Sequence, residues 1–174
     1  HTDGGELNLY YSDISGNRAG YGGAISGLGD SSAIGSAGAR SYNMNIKVNI
    51  FNSIIKNNEG TNHGGGIILW YSDVLIQDSI FDKNDGAGDG GGLYFGDSDV
   101  LITNSMISNN TATQGGGLYL NNYVFIVIRE SSILTNDATG NGDQIRTTQT
   151  PTITVVNADF LIDGNNVNDN NGFT

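Results

Sequence analysis

Two aspartates in this chain are spaced so that they could form a pair of catalytic carboxylates. Asp73 and Asp99 lie 26 residues apart, a spacing that recurs along the chain. In a stack of coils they would therefore be direct neighbours, about 5 Å apart. Retaining glycosidases hold their two carboxyl groups at this separation. Further acidic candidates are Asp78, Asp97 and Glu130.

A base in the same column would strengthen the enzymatic interpretation. We expect no Lys or Arg in the slot of Asp73 and Asp99, since Arg129 and Glu130 fall in a different column. Two carboxylates just before a strand more often cap a loop in a solvated corner. The sequence therefore predicts no catalytic residue, and a polysaccharide lyase or glycoside hydrolase stays open as the alternative.

One turn is rich in the oxygen ligands that Ca²⁺ prefers. Residues 82–89 read Asp-Lys-Asn-Asp-Gly-Ala-Gly-Asp, and Asn136, Asp137, Asn141 and Asp143 repeat this composition two coils later. Carboxylates and amides on flexible glycine turns suit Ca²⁺, but neither segment matches the EF-hand loop or the nonapeptide calcium motif. We therefore predict no metal and no cofactor, with Ca²⁺ as an open alternative to a plain solvated turn.

Aromatic side chains form a third candidate, a stripe on one outer face. Alternation places Ile68, Tyr94 and Tyr119 in the outward slot of three successive short strands. Other aromatic residues close to them in sequence are Trp70, Tyr71 and Tyr123. Such a stripe could bind sugar rings or another subunit, or an inserted loop could cover it, and both interpretations stay open. His1 and His63 look like isolated surface residues.

These candidates sit within a repeat that defines the fold. Five times the chain reads Ser, any residue, Ile or Phe, two residues, then Asn. The Ser positions are Ser12, Ser53, Ser79, Ser105 and Ser131, and the Asn positions are Asn17, Asn58, Asn84, Asn110 and Asn136. Self-similarity at a fixed period, here 26 residues from Ser53 onward, is typical of a solenoid. Stacking places like residues above like, so we predict an internal ladder of Asn amides and a column of small inward Ser residues at a sharp turn.

The repeat is built from strands. Apolar β-branched residues alternate before each Ser, as Val74 and Ile76 do ahead of Ser79, which is a strand signal. A period of this length with so much glycine leaves no room for a helix. We predict one all-β domain over residues 1–174, a parallel β-helix of five to six coils of about 26 residues. It would have a Gly/Ser/Ala-rich inserted loop at 26–45 and a weaker sixth coil at 152–163, with Phe160 and Asp163 in the Phe and Asn slots.

Two of these motifs resemble a known surface-protein repeat. Gly22-Gly23-Ala24-Ile25 and Phe81-Asp82-Lys83-Asn84 match the signature of the polymorphic outer membrane protein repeat, found in the passenger regions of bacterial autotransporter adhesins. Other copies are relaxed, with Gly-Gly-Gly and Ile in these places. The resemblance covers roughly residues 7–145 and implies a right-handed parallel β-helix on a cell surface. Because the chain has no room for a translocator barrel, we expect either a fragment of a longer chain or a short free-standing solenoid.

Composition limits the partners and the compartment. Lys and Arg total 7 and Asp and Glu total 18, and the resulting net charge of −11 argues against nucleic acid and anionic membranes as partners. The chain has no Cys, and its longest apolar run, Val124–Ile128, is too short to cross a membrane. We predict an extracellular or cell-surface location without membrane insertion.

Outward apolar residues favour assembly over catalysis. Two outward columns expose more apolar surface than a monomer usually does. The first column is Leu75, Leu101 and Val127, and the second is Ile54, Ile80 and Met106. Repeat proteins need capped ends for solubility, and no cap is evident here. We therefore expect the first coil of one copy to meet the sixth of another, head to tail, through Leu7, Leu9 and Ile14 on one side and Ile153, Val155 and Phe160 on the other.

The sequence thus predicts a non-enzymatic extracellular structural protein. It would be a β-helix adhesin segment or a self-assembling surface-fibre subunit. Its partners would be further copies, other surface proteins or glycans. A carbohydrate-active enzyme and a glycan-binding module are the alternatives.

Overall fold

The computed structural model of the protein describes residues 5–29, 46–149, 151–160 and 167–168. Within these ranges all regular structure is β. No helix long and apolar enough to cross a membrane is found among these residues. The β-structure follows from the sequence: alternating β-branched residues favour short strands, and the glycine-rich segments between them tolerate the sharp turns at the corners.

Strands follow one another around six coils. The first coil contains β1 (Gly5–Tyr10), β2 (Asp13–Ser15), β3 (Arg18–Tyr21) and β4 (Ile25–Leu28), and the second β5 (Ile46–Phe51), β6 (Ile54–Lys56), β7 (Glu59–His63) and β8 (Ile67–Trp70). The third contains β9 (Ser72–Gln77), β10 (Ile80–Asp82), β11 (Asp85–Asp89) and β12 (Leu93–Gly96), and the fourth β13 (Asp99–Thr103), β14 (Met106–Ser108), β15 (Thr111–Gln114) and β16 (Leu118–Asn121). The fifth contains β17 (Phe125–Arg129), β18 (Ser132–Leu134), β19 (Asp137–Asn141) and β20 (Ile145–Thr147), and the sixth β21 (Thr152–Val156), β22 (Asp159–Phe160) and β23 (Val167–Asn168).

Four parallel sheets run along the stack, one for each side of the coil. Sheet A has the order β1-β5-β9-β13-β17-β21, sheet B β2-β6-β10-β14-β18-β22, sheet C β19-β15-β11-β7-β3 and sheet D β23-β20-β16-β12-β8-β4. The predicted all-β parallel solenoid is confirmed. The regular 26-residue spacing covers four coils, those of Ser53, Ser79, Ser105 and Ser131, which is fewer than the five to six predicted at that period.

The core is a narrow column of like residues stacked on like. Val74 pairs with Val100, and Ile76 with Ile102, in adjacent strands of sheet A. Phe81 of sheet B and Phe95 of sheet D are the largest fully buried side chains. Because every coil contributes the same few inward positions, no single coil could bury its apolar face alone.

The inserted segment starts later than the sequence suggested. Residues 26–28 belong to β4, which pairs in parallel with β8, because Ile25 and Gly27 continue the inward alternation of sheet D. Positions 30–45 of the predicted loop, and Asp163 of the predicted sixth coil, lie outside the described residues.

Candidate functional site

Recurrent asparagines form an internal amide ladder. Asn58, Asn84, Asn110 and Asn136 are buried, and Asn17 is the exposed member in the first coil. At each step from Asn58 to Asn136 the backbone N and Nδ2 of one Asn both donate to Oδ1 of the next, at 2.9–3.1 Å. Gln144 takes the next place, and its Oε1 accepts from Asn136 Nδ2 at 2.7 Å. These amides are fully used in holding coils together.

Recurrent serines form a second internal ladder at the corner between sheets A and B. Each backbone N donates at 3.1 Å to the Ser Oγ of the following coil, from Ser12 through Ser53, Ser79 and Ser105 to Ser131. A shorter ladder, which was not predicted, lies at the corner between sheets D and A, where Ser72 N donates to Ser98 Oγ at 3.1 Å. Ser72 and Ser98 are also 26 residues apart, so the period could have revealed this ladder. It ends after Ser98, because Val124 occupies the equivalent position in the next coil.

The acidic pair lies on the outer face of sheet A. Asp73 and Asp99 are direct partners in the register of β9 and β13, and both are exposed. Lys47 is the partner of Asp73 on the other side, and Phe125 follows Asp99. The expectation that no Lys or Arg shares this column is wrong. Lys47 also precedes Asp73 by 26 residues, so the period itself could have revealed it. A basic residue beside two exposed carboxylates makes a mixed-charge, solvent-exposed surface.

The remaining acidic candidates lie at corners. Asp97 is buried and accepts from Asn122 Nδ2 at 3.0 Å. Asp78 accepts from Gln77 and Asn104, hydrogen bonds that lower its pKa. Glu130 is exposed. Asp97 lies at the corner between sheets D and A, whereas Asp78 and Glu130 lie at the corner between sheets A and B. The structure therefore does not gather these acids with Asp73 and Asp99.

The candidate calcium turn has a different conformation from the flexible loop that was expected. Asp85–Asp89 forms strand β11, and each carboxylate has its own protein partner. Asp82 Oδ1 accepts from Asn109 Nδ2 at 2.7 Å, Asp85 Oδ1 accepts from Thr111 Oγ1 at 2.9 Å, and Asp89 lies beside His63. Asn136 and Asp143 of the second segment bond to Gln144 and to the Ala138 amide. Among the described residues no three His, Cys, Asp or Glu side chains are grouped as metal ligands. Ca²⁺ binding stays a prediction.

The outward aromatic residues of sheet D are buried. Tyr94 and Tyr119 are 5% and 6% exposed and stack at 5.0 Å between ring centroids, with Ile68 as the third buried member. Trp70 packs on Tyr94 at 5.6 Å. Of the other predicted members, Tyr71 lies beside Trp70, and Tyr123 is an exposed residue outside this cluster. The buried rings are unavailable as a flat platform for a sugar.

His63 and Asp89 join this aromatic cluster, so the interpretation of His63 as an isolated surface residue is wrong. The two residues are 26 apart, a signal present in the sequence. The Asp89 amide donates to His63 Nδ1 at 3.0 Å, and the His63 ring lies 5.9 Å from Tyr21 and 5.9 Å from Tyr94. Burial raises the pKa of Tyr94 to about 12. Burial also raises the pKa of Asp89, and His63, Arg146 and the Tyr119 hydroxyl offset part of that effect.

Asp89 makes stability depend on pH in a defined direction. Because its native pKa is raised above the ordinary 3.8, the folded chain binds this proton more tightly than the unfolded chain does. Its stabilising contribution is full below pH 3.8 and is lost as pH rises through the native pKa. We expect Asp89→Asn to remove this loss, so the free energy of unfolding of the variant should increase relative to that of the wild type as pH rises above 3.8. Urea denaturation at several pH values measures it, and a constant difference would contradict the assignment.

Exposed apolar side chains concentrate in the first coil. Five of the large exposed hydrophobic residues belong to it: Leu7, Tyr10, Tyr11, Tyr21 and Leu28. The strands of this coil are the edge strands of all four sheets among the described residues. The outward columns on sheets A and B are half-buried except for Met106, so they expose less than expected. The first coil is therefore the most apolar accessible part of the described surface.

Comparisons with known proteins give no match: no protein-family model, no curated protein and no solved structure matches this chain. The resemblance to the polymorphic outer membrane protein repeat therefore rests on its short motifs alone. The structure shows a parallel β-solenoid with a 26-residue period.

Proposed function

We propose that the chain is a non-enzymatic structural protein of the cell surface, a solenoid that extends by stacking coils from one copy onto the next. It would serve as an adhesin segment or as a fibre subunit. The observation that carries this proposal is the first coil, where exposed apolar side chains lie on strands that form the sheet edges among the described residues. Unpaired strand edges are templates for further pairing.

The sixth coil offers columns that continue those of the first. Val156 of one copy, which is 40% exposed, would lie next to Tyr10 of the following copy, which is 56% exposed, in the outer column of sheet A. Inside, Ile153 would meet Leu7. Ala158 occupies the Ser slot, so its amide would donate to Ser12 Oγ as the amides of the preceding Ser residues do. Such a head-to-tail contact does not close on itself and propagates as a fibre.

Charge placed in this contact should prevent assembly. We expect the wild-type chain to show a mass in sedimentation experiments that rises with concentration. Tyr10→Glu should stay monomeric, because a carboxylate enclosed between Phe51 and Val156 of the next copy would be buried without a partner. Phe125→Glu is the matched control, since Phe125 is likewise an exposed aromatic residue, at 40%, but lies on the side of the fifth coil. Filaments in negative-stain images would agree with the rise in mass.

Two results would contradict the proposal at different points. A wild-type chain that is monomeric at every concentration would remove the fibre and leave the adhesin segment. Release of reducing or unsaturated sugar from a polysaccharide panel, lost in Asp73→Asn, would overturn the non-enzymatic assignment itself and favour the carbohydrate-active alternative.

A further inference from the structure

The outer corners of the solenoid carry hydrogen-bonded ladders of their own. At the corner between sheets B and C, Thr135 Oγ1 donates to Asn109 Oδ1 at 2.9 Å, and Asn109 Nδ2 donates to Asp82 Oδ1 at 2.7 Å. Three successive coils thus supply a donor, an amide and an acid. The amide uses both of its ends, because its oxygen and nitrogen face opposite directions along the stack.

The corner between sheets D and A repeats this order. Gln149 Nε2 donates to Asn122 Oδ1 at 2.6 Å, and Asn122 Nδ2 donates to Asp97 Oδ2 at 3.0 Å. Here the fifth coil again supplies the donor that the amide oxygen of the fourth coil needs.

The corner between sheets A and B breaks the order. Asp78, Asn104 and Glu130 occupy equivalent left-handed positions with φ of 51°, 46° and 48°. Asn104 Nδ2 donates to Asp78 Oδ1 of the third coil. Because the oxygen and the nitrogen of an amide point in opposite directions, this hydrogen bond directs Asn104 Oδ1 toward the fifth coil. The residue there is Glu130, whose carboxylate accepts hydrogen bonds and donates none. Two acceptors, Asn104 Oδ1 and the Glu130 carboxylate, therefore face each other at this corner. At the other two corners a donor from the fifth coil faces the amide oxygen of the fourth.

A groove opens at this broken ladder. Its volume is about 360 Å³, and the residues that line it include Asp78, Ile80, Asn104, Met106 and Glu130. The carboxylates and the amide form one wall, and Ile80 and Met106 supply an apolar surface. None of the ion pairs among the described residues includes Glu130. The groove therefore combines a carboxylate that forms no ion pair among the described residues with an apolar strip.

We propose that this groove binds a primary alkyl ammonium group, held between Asn104 Oδ1 and the Glu130 carboxylate, with its methylene chain along Ile80 and Met106. An ammonium has three donors, so it satisfies both acceptors at once, and methylenes pack on apolar surface while the charged head stays polar. Two free acceptors are too few for Ca²⁺, which takes about 6–8 oxygen ligands. The site lies on the side of the middle coils, so it does not depend on the proposed stacking of ends.

The ammonium could come from a free diamine or from a lysine side chain, and Asp78 distinguishes the two. Asp78 lies two coils from Glu130, about 10 Å along the stack. The second ammonium of a diamine can approach it, whereas a lysine side chain has only one charged end. Asp78→Asn should therefore weaken the binding of a diamine and leave that of a lysine derivative unchanged.

NMR titration at low ionic strength tests the site, with cadaverine and Nα-acetyl-lysine-N-methylamide as probes. We expect shifts of the Asn104, Met106 and Glu130 amides with millimolar affinity, since one partly exposed charge pair contributes little. Glu130→Gln should abolish these shifts. It should also raise the melting temperature by about 2–4 °C, because Gln can donate to Asn104 as Gln149 does to Asn122.

Three controls keep the test decisive. Asp73→Asn removes the same charge outside the groove and should retain binding without a rise in melting temperature. Glu130→Ala should lose binding without a rise in melting temperature, and it replaces Glu130→Gln in the binding test if that variant does not fold. Tetramethylammonium, which has no N–H donor, should not shift these amides. Equal binding by wild type and Glu130→Gln, equal weakening by Asp73→Asn, or equal binding of tetramethylammonium would overturn the proposal.

Discussion

Replacing Asn110 with Leu should lower the free energy of unfolding by about 3–4 kcal/mol, a large loss for one substitution. Asn110 is fully buried in the middle of the amide ladder. Its Oδ1 accepts from the backbone N and from Nδ2 of Asn84, at 2.9 and 3.0 Å. Its own Nδ2 donates to Asn136 Oδ1 and to the Phe81 carbonyl.

The size of this loss follows from the partners that Leu would leave behind. Leu has no polar atom in its side chain, so Asn84 would lose an acceptor while the Phe81 carbonyl and Asn136 Oδ1 would lose a donor. No water reaches a fully buried site to replace them, and each unsatisfied group costs about 1–3 kcal/mol. A part of this cost is recovered by burial of the apolar Leu side chain.

Urea denaturation followed by circular dichroism measures the change. Asn62→Leu is the matched control, because Asn62 is an exposed residue of β7, and we expect it to change stability by less than about 0.5 kcal/mol. Equal stability of the wild type and Asn110→Leu would show that the amide ladder contributes nothing.

Replacing Gly91 with Ala should destabilise the solenoid by about 3 kcal/mol or more. A Cβ atom at Gly91 would lie 2.4 Å from the Gly116 carbonyl oxygen and 2.4 Å from the Thr111 carbonyl oxygen. Both contacts are with the backbone of the fourth coil, which cannot rotate away as a side chain can. Relief would need the third and fourth coils to separate, at the cost of hydrogen bonds such as Gly91 N to Gly115 O at 3.1 Å.

Gly20→Ala is the control for this prediction. Gly20 lies in β3 of sheet C, and a Cβ atom there would meet only Asn62 Nδ2 at an ordinary 3.7 Å. We expect Gly20→Ala to be neutral or slightly stabilising, because Ala restricts the unfolded chain. Thermal melting of both variants compares them directly, and similar melting temperatures would contradict the close approach of the coils.

The stacking of like residues could be predicted from the sequence. The period places Asn58, Asn84, Asn110 and Asn136 in one column, and an amide has a donor and an acceptor on opposite sides, so it can bond to the same residue above and below. Alternation around Val74 and Ile76 likewise determined which side chains point inward. Both signals are regular and local, and this is why they were sufficient for the fold class.

Neighbour relations between residues of different type within a column could be predicted only in part. The period also aligns Lys47 with Asp73 and His63 with Asp89, and these relations were missed because each pair occurs once and lacks a repeated residue type. The partner of Asn136 was beyond sequence reasoning, since Gln144 comes from the same coil. A ladder continued by a residue eight positions away has no periodic signal.

The sequence alone determined the period, the strands and the residues that share a column. Only the tertiary structure decided how close the coils come and which columns water reaches. Gly90 has the positive φ of 75° that a corner explanation predicts, whereas Gly91 must be Gly because two backbones meet there. Tyr94 and Tyr119 occupy the outward face of sheet D and are nevertheless buried. The reason is physical: periodicity is a property of neighbours along the chain, whereas backbone approach and solvent exposure depend on the curvature and spacing of coils that are distant in sequence.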